Sequence, residues 1–212
     1  DQGEDIEVAN AIRDQYLPKF SGDKLPESLT GCAVALADRL DTIVGIFGIG
    51  QPPTGSKDPF ALRRATLGVL RIIVEKQLDV DLRDLLQRAQ QQYSQLSAGE
   101  NLVDTVLNYM VERFRAWYEE EKIATEVFMA VSAKGLSKPL DIDQRVKAVN
   151  SFSQLPEAQA LAAANKRVSN ILAKLDNETS IDTVSSDLLM DDAEKTLAAL
   201  VLEKTESVAP LY

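Results

Sequence analysis

Apolar residues recur at intervals of three and four along nearly all of this 212-residue sequence. That spacing is typical of amphipathic helices, and no segment gives a convincing strand pattern. Gly, Pro, Ser and Asn separate the periodic runs, as expected for turns. The predicted helices cover about 5–17, 29–47, 59–77, 81–93, 101–121, 124–134, 142–153, 157–174 and 191–206. The sequence therefore predicts an all-α fold, a multi-helix bundle in two packed helical modules with no significant sheet.

The clearest boundary signals lie between the second and third predicted helices. Three glycines lie at the C-terminal end of the second predicted helix: Gly45, Gly48 and Gly50. Glycine accepts the left-handed backbone found at helix ends, so these glycines are predicted to stop the helix. Asp58 is placed to cap the next helix, and Pro59 is placed to occupy its first position. The sequence thus predicts a helix-turn-helix joint that carries Arg63 and Arg64 at the start of a rigid helix.

One apolar stripe marks the fifth predicted helix. Its members are Leu102, Val103, Val106, Leu107, Met110, Val111, Phe114, Trp117 and Tyr118. A helix in a helical domain buries such a face, so the stripe is interpreted as core. A base-stacking role for Trp117 or Tyr118 has no support in the pattern. Gly, Ser, Lys and Pro interrupt the periodicity near 135–141, which predicts a domain boundary there.

The net charge of −10 is unevenly distributed along the chain. Residues 175–212 hold nine acidic and two basic side chains, and residues 1–30 hold seven acidic and three basic ones. These two segments carry −7 and −4, which leaves +1 for residues 31–174. A near-neutral middle with local basic clusters can hold a phosphate backbone. The overall charge therefore does not exclude RNA as a ligand.

Several kinds of catalysis are excluded by composition. The sequence contains no histidine, so it has no imidazole base for a Ser or Cys nucleophile and no imidazole metal ligand. The glycine-rich segment 45–50 lacks the lysine of a phosphate-binding loop. The single Cys32 is interpreted as a small buried residue, and no apolar run reaches the length of a membrane span. We predict no catalytic residue, no metal ligand and no membrane contact. The missing initiator methionine and acidic start suggest a piece cut from a longer protein.

Five segments carry a resemblance to a known family. They are ADRLDTIVGIFGIG at 37–50, DPFALRRA at 58–65, GVLRIIVEK at 68–76, VERFRAWY at 111–118 and AAANKRVSNILAK at 162–174. Together they resemble the β subunit of the bacterial two-subunit glycyl-tRNA synthetase. The last segment is similar to the anticodon-binding region of that subunit.

The resemblance implies a domain order and a function. Residues 1–56 would be the C-terminal part of an HD-like helical domain, 57–138 a helical body, and 139–212 an anticodon-binding, DALR-like domain truncated at its C-terminus. The chain would be cytoplasmic and would bind tRNA-Gly but not DNA. The holoenzyme, with two α and two β subunits, would be the glycine–tRNA ligase. ATP and Mg²⁺ would bind the α subunit, so this chain would need no cofactor and would not be catalytic alone.

The residues predicted to contact tRNA are mostly basic. Two basic groups stand out, Lys57, Arg63, Arg64, Arg71 and Lys76 in the first and Arg145, Lys147, Lys166, Arg167 and Lys174 in the second. Lysine and arginine contact phosphates, and asparagine can read an unstacked base edge. The predicted tRNA-binding residues are Lys57, Arg63, Arg64, Arg145, Lys147, Asn165, Lys166, Arg167, Asn170 and Lys174. Charge alone favours solvated side chains, and the resemblance is what makes RNA binding the leading hypothesis.

The geometry of a helix refines these candidates. Arg63 and Arg64 point about 100° apart, so one of them is expected to pair internally. Arg167 and Lys174 are seven residues apart and are expected to share a helix face. Lys166 and Asn170 share another face in the same way, four residues apart.

Two alternative functions remain open at the level of sequence. Ala-Asp-Arg-Leu at 37–40 resembles the last ligand segment of HD-type phosphohydrolases, and Asp38 and Asp41 lie on one helix face. The chain could therefore be a degenerate metal phosphohydrolase remnant, with a divalent metal at Asp38. It could also be a purely structural helical scaffold for subunit assembly. A structural role for Asp38, such as pairing with a buried arginine, is the favoured interpretation.

Overall fold

The computed structural model describes residues 3–96, 99, 101–174 and 185–209 of the chain. Within that part the fold is all-α, which confirms the predicted class, and the one β-bridge is an isolated pairing of Thr54 with Lys57. The helices are α1 (Ile6–Asp14), α2 (Leu29–Gly48), α3 (Leu62–Glu75), α4 (Leu82–Gln90), α5 (Leu102–Glu120), α6 (Thr125–Ser132), α7 (Pro139–Ser153), α8 (Pro156–Leu172) and α9 (Asp192–Val208). A short 3₁₀ turn covers Ser186–Leu188. Among the described residues, none of the helices combines the length and the hydropathy that a membrane span requires.

The chain divides into two compact units, residues 1–158 and residues 159–212. In the first unit α2 packs against α1, α3, α4 and α5, and α3 also contacts α5 and α7. The second unit contains most of α8, the 3₁₀ turn and α9. Helices α6 and α7, which flank the loop at 135–141, contact each other. The assignment of 1–56, 57–138 and 139–212 to three family domains stays a prediction.

The stripe predicted on the fifth helix is core. Six of its nine members are buried on α5, and Val103, Val111 and Trp117 are partly buried against the same cluster. Phe114 lies parallel to Trp117 and to Tyr118, with ring centroids 5.6 Å apart in both pairs. The stripe therefore packs as the three-to-four spacing predicted.

The glycines at the end of α2 serve packing more than helix termination. Gly45 lies inside the helix, and a Cβ built on it would be 2.5 Å from the Tyr93 hydroxyl oxygen. Gly48 is the last helical residue, and its Cβ would be 2.5 Å from Cδ2 of Leu96. Of the three, only Gly50 adopts a left-handed backbone, with φ of +75°. The prediction that Gly45 stops the helix is wrong, because a residue without a side chain is needed there for the segment after α4 to approach α2.

Asp58 caps the next helix from further away than predicted. Helix α3 begins at Leu62, so Pro59 is not its first residue, and the predicted start at 59 is wrong. The Asp58 carboxylate still accepts hydrogen bonds from the backbone N–H groups of Leu62 and Arg63, at 2.8 and 2.9 Å. A turn closed by the hydrogen bond from Ala61 N–H to the Asp58 carbonyl separates the cap from the helix. The free amides of the first turn are satisfied as predicted, but by a carboxylate outside the helix.

Candidate nucleic-acid interface

The first three predicted RNA contacts lie around the joint between α2 and α3. Lys57 is exposed and closes a tight turn with Thr54 through two backbone hydrogen bonds of 2.8 and 3.0 Å. Arg63 is half-buried and donates to the backbone carbonyl of Gly55. Arg64 is exposed, and no carboxylate of the described residues lies within ion-pair distance of it. The expectation that one of the two adjacent arginines pairs internally is confirmed, and it is Arg63.

The two candidates on α7 already have carboxylate partners. Nε of Arg145 donates to both carboxylate oxygens of Asp141, at 2.9 and 3.0 Å. Nζ of Lys147 donates to Asp143 at 2.8 Å. A phosphate would have to compete with these carboxylates for the two cations, which weakens their contribution to RNA binding. Their role in RNA binding stays a prediction.

Asp143 is part of a small buried polar cluster between α5 and α7. The residue is only 4% exposed, and its second oxygen accepts a 3.1 Å hydrogen bond from the Tyr118 hydroxyl. A buried carboxylate is costly unless it is paired and hydrogen-bonded. Lys147 therefore supplies the counter-charge that allows Asp143 to lie inside the fold.

The Tyr118 hydroxyl gives this cluster a testable pH dependence. Burial, and then the negative charge of Asp143, raise the pKa of Tyr118 above its ordinary value. The folded protein keeps the phenol proton at a pH where the unfolded chain, with a tyrosine pKa of about 10, releases it. The free energy of unfolding is therefore expected to fall as pH rises above about 10, by up to ~1.4 kcal/mol per pH unit from this residue. Urea unfolding between about pH 8 and pH 11 measures the slope.

The Tyr118→Phe variant is the reference for that measurement. It lacks the ionisable group, so its stability should fall less steeply above about pH 10 than that of the wild type. Burial also raises the pKa of Tyr93 and Tyr109, and the comparison removes their shared contribution. Parallel curves for the two proteins would show that Tyr118 does not titrate on unfolding.

The remaining candidates belong to α8 and the turn that follows it. Asn165, Lys166, Arg167 and Asn170 are exposed on the helix. Helix α8 ends at Leu172, so Lys174 lies in the next turn and not on the helix face predicted to include Arg167. Among the described residues no ion pair involves these lysine and arginine side chains. The segment therefore offers cations and side-chain amides at exposed positions of one helix.

A groove in the first unit brings other residues together. It has a volume of about 1060 Å³, and its walls are the loop 18–22, α3, the C-terminal end of α5, and α7. Arg63, Arg64 and Lys147, from separate parts of the sequence, all contribute to its lining, and so do Arg71 and Trp117. Lys57 and Arg145 are not among the lining residues. Tertiary packing thus unites part of the predicted set and adds an aromatic side chain.

Arg39 holds the loop wall of this groove in place. It is only 8% exposed, and its guanidinium donates to the backbone carbonyls of Gln15 at 2.8 Å, Ala35 at 2.9 Å and Pro18 at 3.2 Å. Gln15 caps the end of α1, so Arg39 ties that end and the start of the loop to α2. Burial lowers the pKa of the guanidinium, because a charged group is less stable away from water.

Arg39 was not among the predicted site residues, although its position in the sequence carried a signal. Leu36, Leu40 and Ile43 form the buried face of α2, and position 39 falls on that same face. A charged residue at a core position of a helix indicates a buried hydrogen-bonded group. The neighbouring Asp38 and Asp41 are exposed.

The metal-site alternative finds no support in the described residues. They include no group of three or more His, Cys, Asp or Glu side chains that could hold a metal ion. Asp38 and Asp41 are both exposed, and a pair of exposed carboxylates falls short of the ligand sets that divalent metals require. The buried member of the Ala-Asp-Arg-Leu segment is Arg39, which bonds to carbonyl oxygens. Among the described residues, the donor set therefore falls short of the ligands that a metal-hydrolase site requires.

Comparison with known proteins identifies the family. The family model described as "Glycyl-tRNA synthetase beta subunit" matches residues 1–133. The chain belongs to the glycyl-tRNA synthetase beta subunit family. A "Glycine--tRNA ligase beta subunit" from Marinobacter nauticus is 56% identical over 210 residues, which is 99% of this chain and 30% of the relative. Proteins of the same description from Hahella chejuensis and Chromohalobacter salexigens are 58% and 56% identical, over 96% and 99% of this chain.

The chain spans about 30% of the length of these glycine–tRNA ligase relatives. The part matched by the family model contains Arg39, α3, α5 and Trp117, and so most of the groove. Helices α7 to α9 lie outside that part but inside the aligned region of the relatives that cover 99% of the chain. The resemblance seen in the sequence is therefore confirmed for the family.

Proposed function

We propose that this chain is a tRNA-binding part of a glycine–tRNA ligase β subunit. It would contribute recognition of tRNA-Gly, through the anticodon arm, to the ATP-dependent ligation of glycine to tRNA. The observation that carries the proposal is 56% identity over 99% of the chain to a protein described as a glycine–tRNA ligase beta subunit. Its setting would be the cytoplasm, where tRNA is charged.

The surface of α8 is the best candidate for the anticodon contact. Lys166 and Arg167 can bind phosphates, and Asn165 and Asn170 can bond to base edges. All four side chains are exposed and lie within two turns of one helix. Anticodon bases are single-stranded, so their edges are accessible to side-chain amides while the flanking phosphates can bind cations.

The chemical step belongs elsewhere in this proposal. ATP and Mg²⁺ would bind the α subunit, and two α and two β subunits would form the active enzyme. This chain alone is therefore not expected to activate glycine.

A charge-reversal experiment tests the proposal. Lys166→Glu combined with Arg167→Glu should weaken binding of the 212-residue chain to fluorescently labelled tRNA-Gly by at least about tenfold at low salt. The slope of log affinity against log salt should also become shallower, because fewer counterions are released. Fluorescence anisotropy at two salt concentrations measures both effects.

The second unit provides a matched control. Lys195→Glu with Lys204→Glu changes the net charge equally on α9, where the wild-type lysines lie near Asp192 and Glu203. Equal losses in the two double variants would mean that net charge, and not the α8 surface, governs binding. A tRNA with an altered anticodon should bind more weakly than tRNA-Gly, and equal binding would remove anticodon reading from the proposal.

A scaffold for subunit assembly is the second candidate function. Helix α9 favours it, because Leu197, Leu200 and Val201 are between 48% and 63% exposed on one face. An exposed apolar helix face of this kind is typical of a protein interaction site. Capture of the α subunit by a chain with no affinity for tRNA would support this function over the first.

A further inference from the structure

We propose that the groove of the first unit binds an unpaired stretch of tRNA, with a base against Trp117 and a phosphate on Arg64. The inference rests on the proposed function and adds a second RNA-binding site, separate from the α8 surface. At about 1060 Å³ the groove slightly exceeds the ~300–1,000 Å³ of pockets that hold drug-sized ligands. That size suits one or a few unstacked nucleotides and is too small for a duplex.

Trp117 offers a fixed aromatic surface in this groove. Its ring lies nearly parallel to Phe114 and Tyr118, with interplanar angles of 15° and 13°. Its indole N–H donates to Glu121 at 2.7 Å, which fixes the rotation of the ring. A preorganised aromatic side chain that is partly exposed in a groove is the usual platform for an unpaired base.

The basic side chains of the groove differ in whether they already have hydrogen-bond partners within the protein or are available to bind a phosphate. Lys147 is bonded to the buried Asp143, and Arg63 bonds to a backbone carbonyl. Arg71 donates to Glu75 and to the Asp23 carbonyl, and its Nη1 has no acceptor among the described residues. Arg64 is exposed on the same helix and has no ion pair within the described part of the chain. Arg64 is thus the residue best placed to bind a phosphate.

The positions of the carboxylates in the groove indicate where the phosphate and the base would bind. Glu75, Glu121 and Asp143 already accept hydrogen bonds from Arg71, Trp117 and Lys147, respectively. Glu120 has no ion pair within the described residues, and it lies at the α5 end of the groove. It would repel a phosphate but could accept a hydrogen bond from the exocyclic amino group of a base. We therefore place the phosphate at α3 and the base at the end of α5.

The test uses Trp117 as its own reporter, since it is the single tryptophan of the chain. Adding tRNA-Gly to the 212-residue chain should quench the tryptophan fluorescence along the same curve that the anisotropy of labelled tRNA follows. Arg64→Glu should weaken binding about tenfold and lower the salt slope by about one. Arg88→Glu, an exposed arginine on α4 outside this groove, is the control and should have a smaller effect.

The aromatic part of the site has its own variants. Trp117→Ala should weaken tRNA binding roughly tenfold through loss of stacking. Because Trp117 belongs to the packed face of α5, Trp117→Phe is the second variant, and it should retain more of the affinity. Circular dichroism would establish that both variants remain helical.

Three results would overturn the groove site. The first is that tRNA binds without changing Trp117 fluorescence and that Arg64→Glu and Arg88→Glu have equal effects. This result would support the proposed function but would exclude the groove as a binding site. Quenching by purified α subunit but not by tRNA would make the groove a protein-binding surface. Absence of any tRNA binding by the wild-type chain would remove both the proposed function and this inference.

Discussion

Replacing Arg39 by alanine is expected to lower the free energy of unfolding by about 1–3 kcal/mol, the cost of leaving buried hydrogen-bonding groups without their partner. The guanidinium is 8% exposed and donates to three backbone carbonyls, those of Gln15, Ala35 and Pro18. Its removal leaves polar groups without partners and opens a cavity beside α2. Urea unfolding followed by circular dichroism measures the change.

Two exposed neighbours serve as controls for Arg39. Asp38→Ala changes the adjacent residue of the same motif, and Arg64→Ala removes an exposed arginine from the next helix. Both changes should stay within about 0.5 kcal/mol of the wild type, as surface substitutions usually do. Arg39→Ala within that same range would show that the hydrogen bonds to the loop contribute little. A large decrease in the free energy of unfolding for Asp38→Ala would indicate that the aspartate, too, has a structural role.

Replacing Gly68 by alanine is expected to lower the free energy of unfolding by about 1–3 kcal/mol, as overpacking of a core does. Helix propensity alone predicts the opposite, a gain of up to about 1 kcal/mol for Gly to Ala inside a helix. The added Cβ would lie 2.8 Å from Nε of Arg39 and 3.4 Å from its Cδ. Arg39 cannot move away without lengthening its three hydrogen bonds, so the helix gain is outweighed.

A double-mutant cycle isolates this contact. In an Arg39→Ala background the obstacle to the Cβ is gone, so Gly68→Ala should become neutral or stabilising by up to about 1 kcal/mol. The change in the free energy of unfolding caused by Gly68→Ala should therefore have opposite signs in the two backgrounds. Equal effects in both would mean that Gly68 is constrained by something other than Arg39, such as Pro18, whose Cδ would be 3.6 Å from the Cβ. Urea unfolding of the four proteins provides the cycle.

The helices and the core were readable from local sequence. The stripe of α5 is buried as its spacing predicted, because a period of three to four places those residues on one side of any helix. The carboxylate of Asp58 caps α3. This cap could be predicted because it joins residues that are close together in the sequence. The family was also recognisable, because it depends on the order of residues alone.

The glycines show where local reasoning fails. Gly45 resembles a helix stop in the sequence, yet it lies within α2 because Tyr93 occupies the space that a side chain would need. Tyr93 also donates from its hydroxyl to the carbonyl of Asp41, which fixes that approach at 3.0 Å. The two residues are far apart in the chain, and no local pattern connects them.

Some features of the candidate site could be predicted from the sequence, and others depended on the tertiary structure. The sequence determined the class of fold, the faces of the helices, the basic residues of α8 and the absence of an imidazole for catalysis or metal binding. These properties follow from residue type and from a repeat that spans a few residues. Only the tertiary structure decided which cations are engaged by carboxylates, that Arg39 is buried, and that Arg64 and Trp117 line one groove. Those outcomes depend on contacts between distant segments, and the free energy of such contacts is set by packing and not by local spacing.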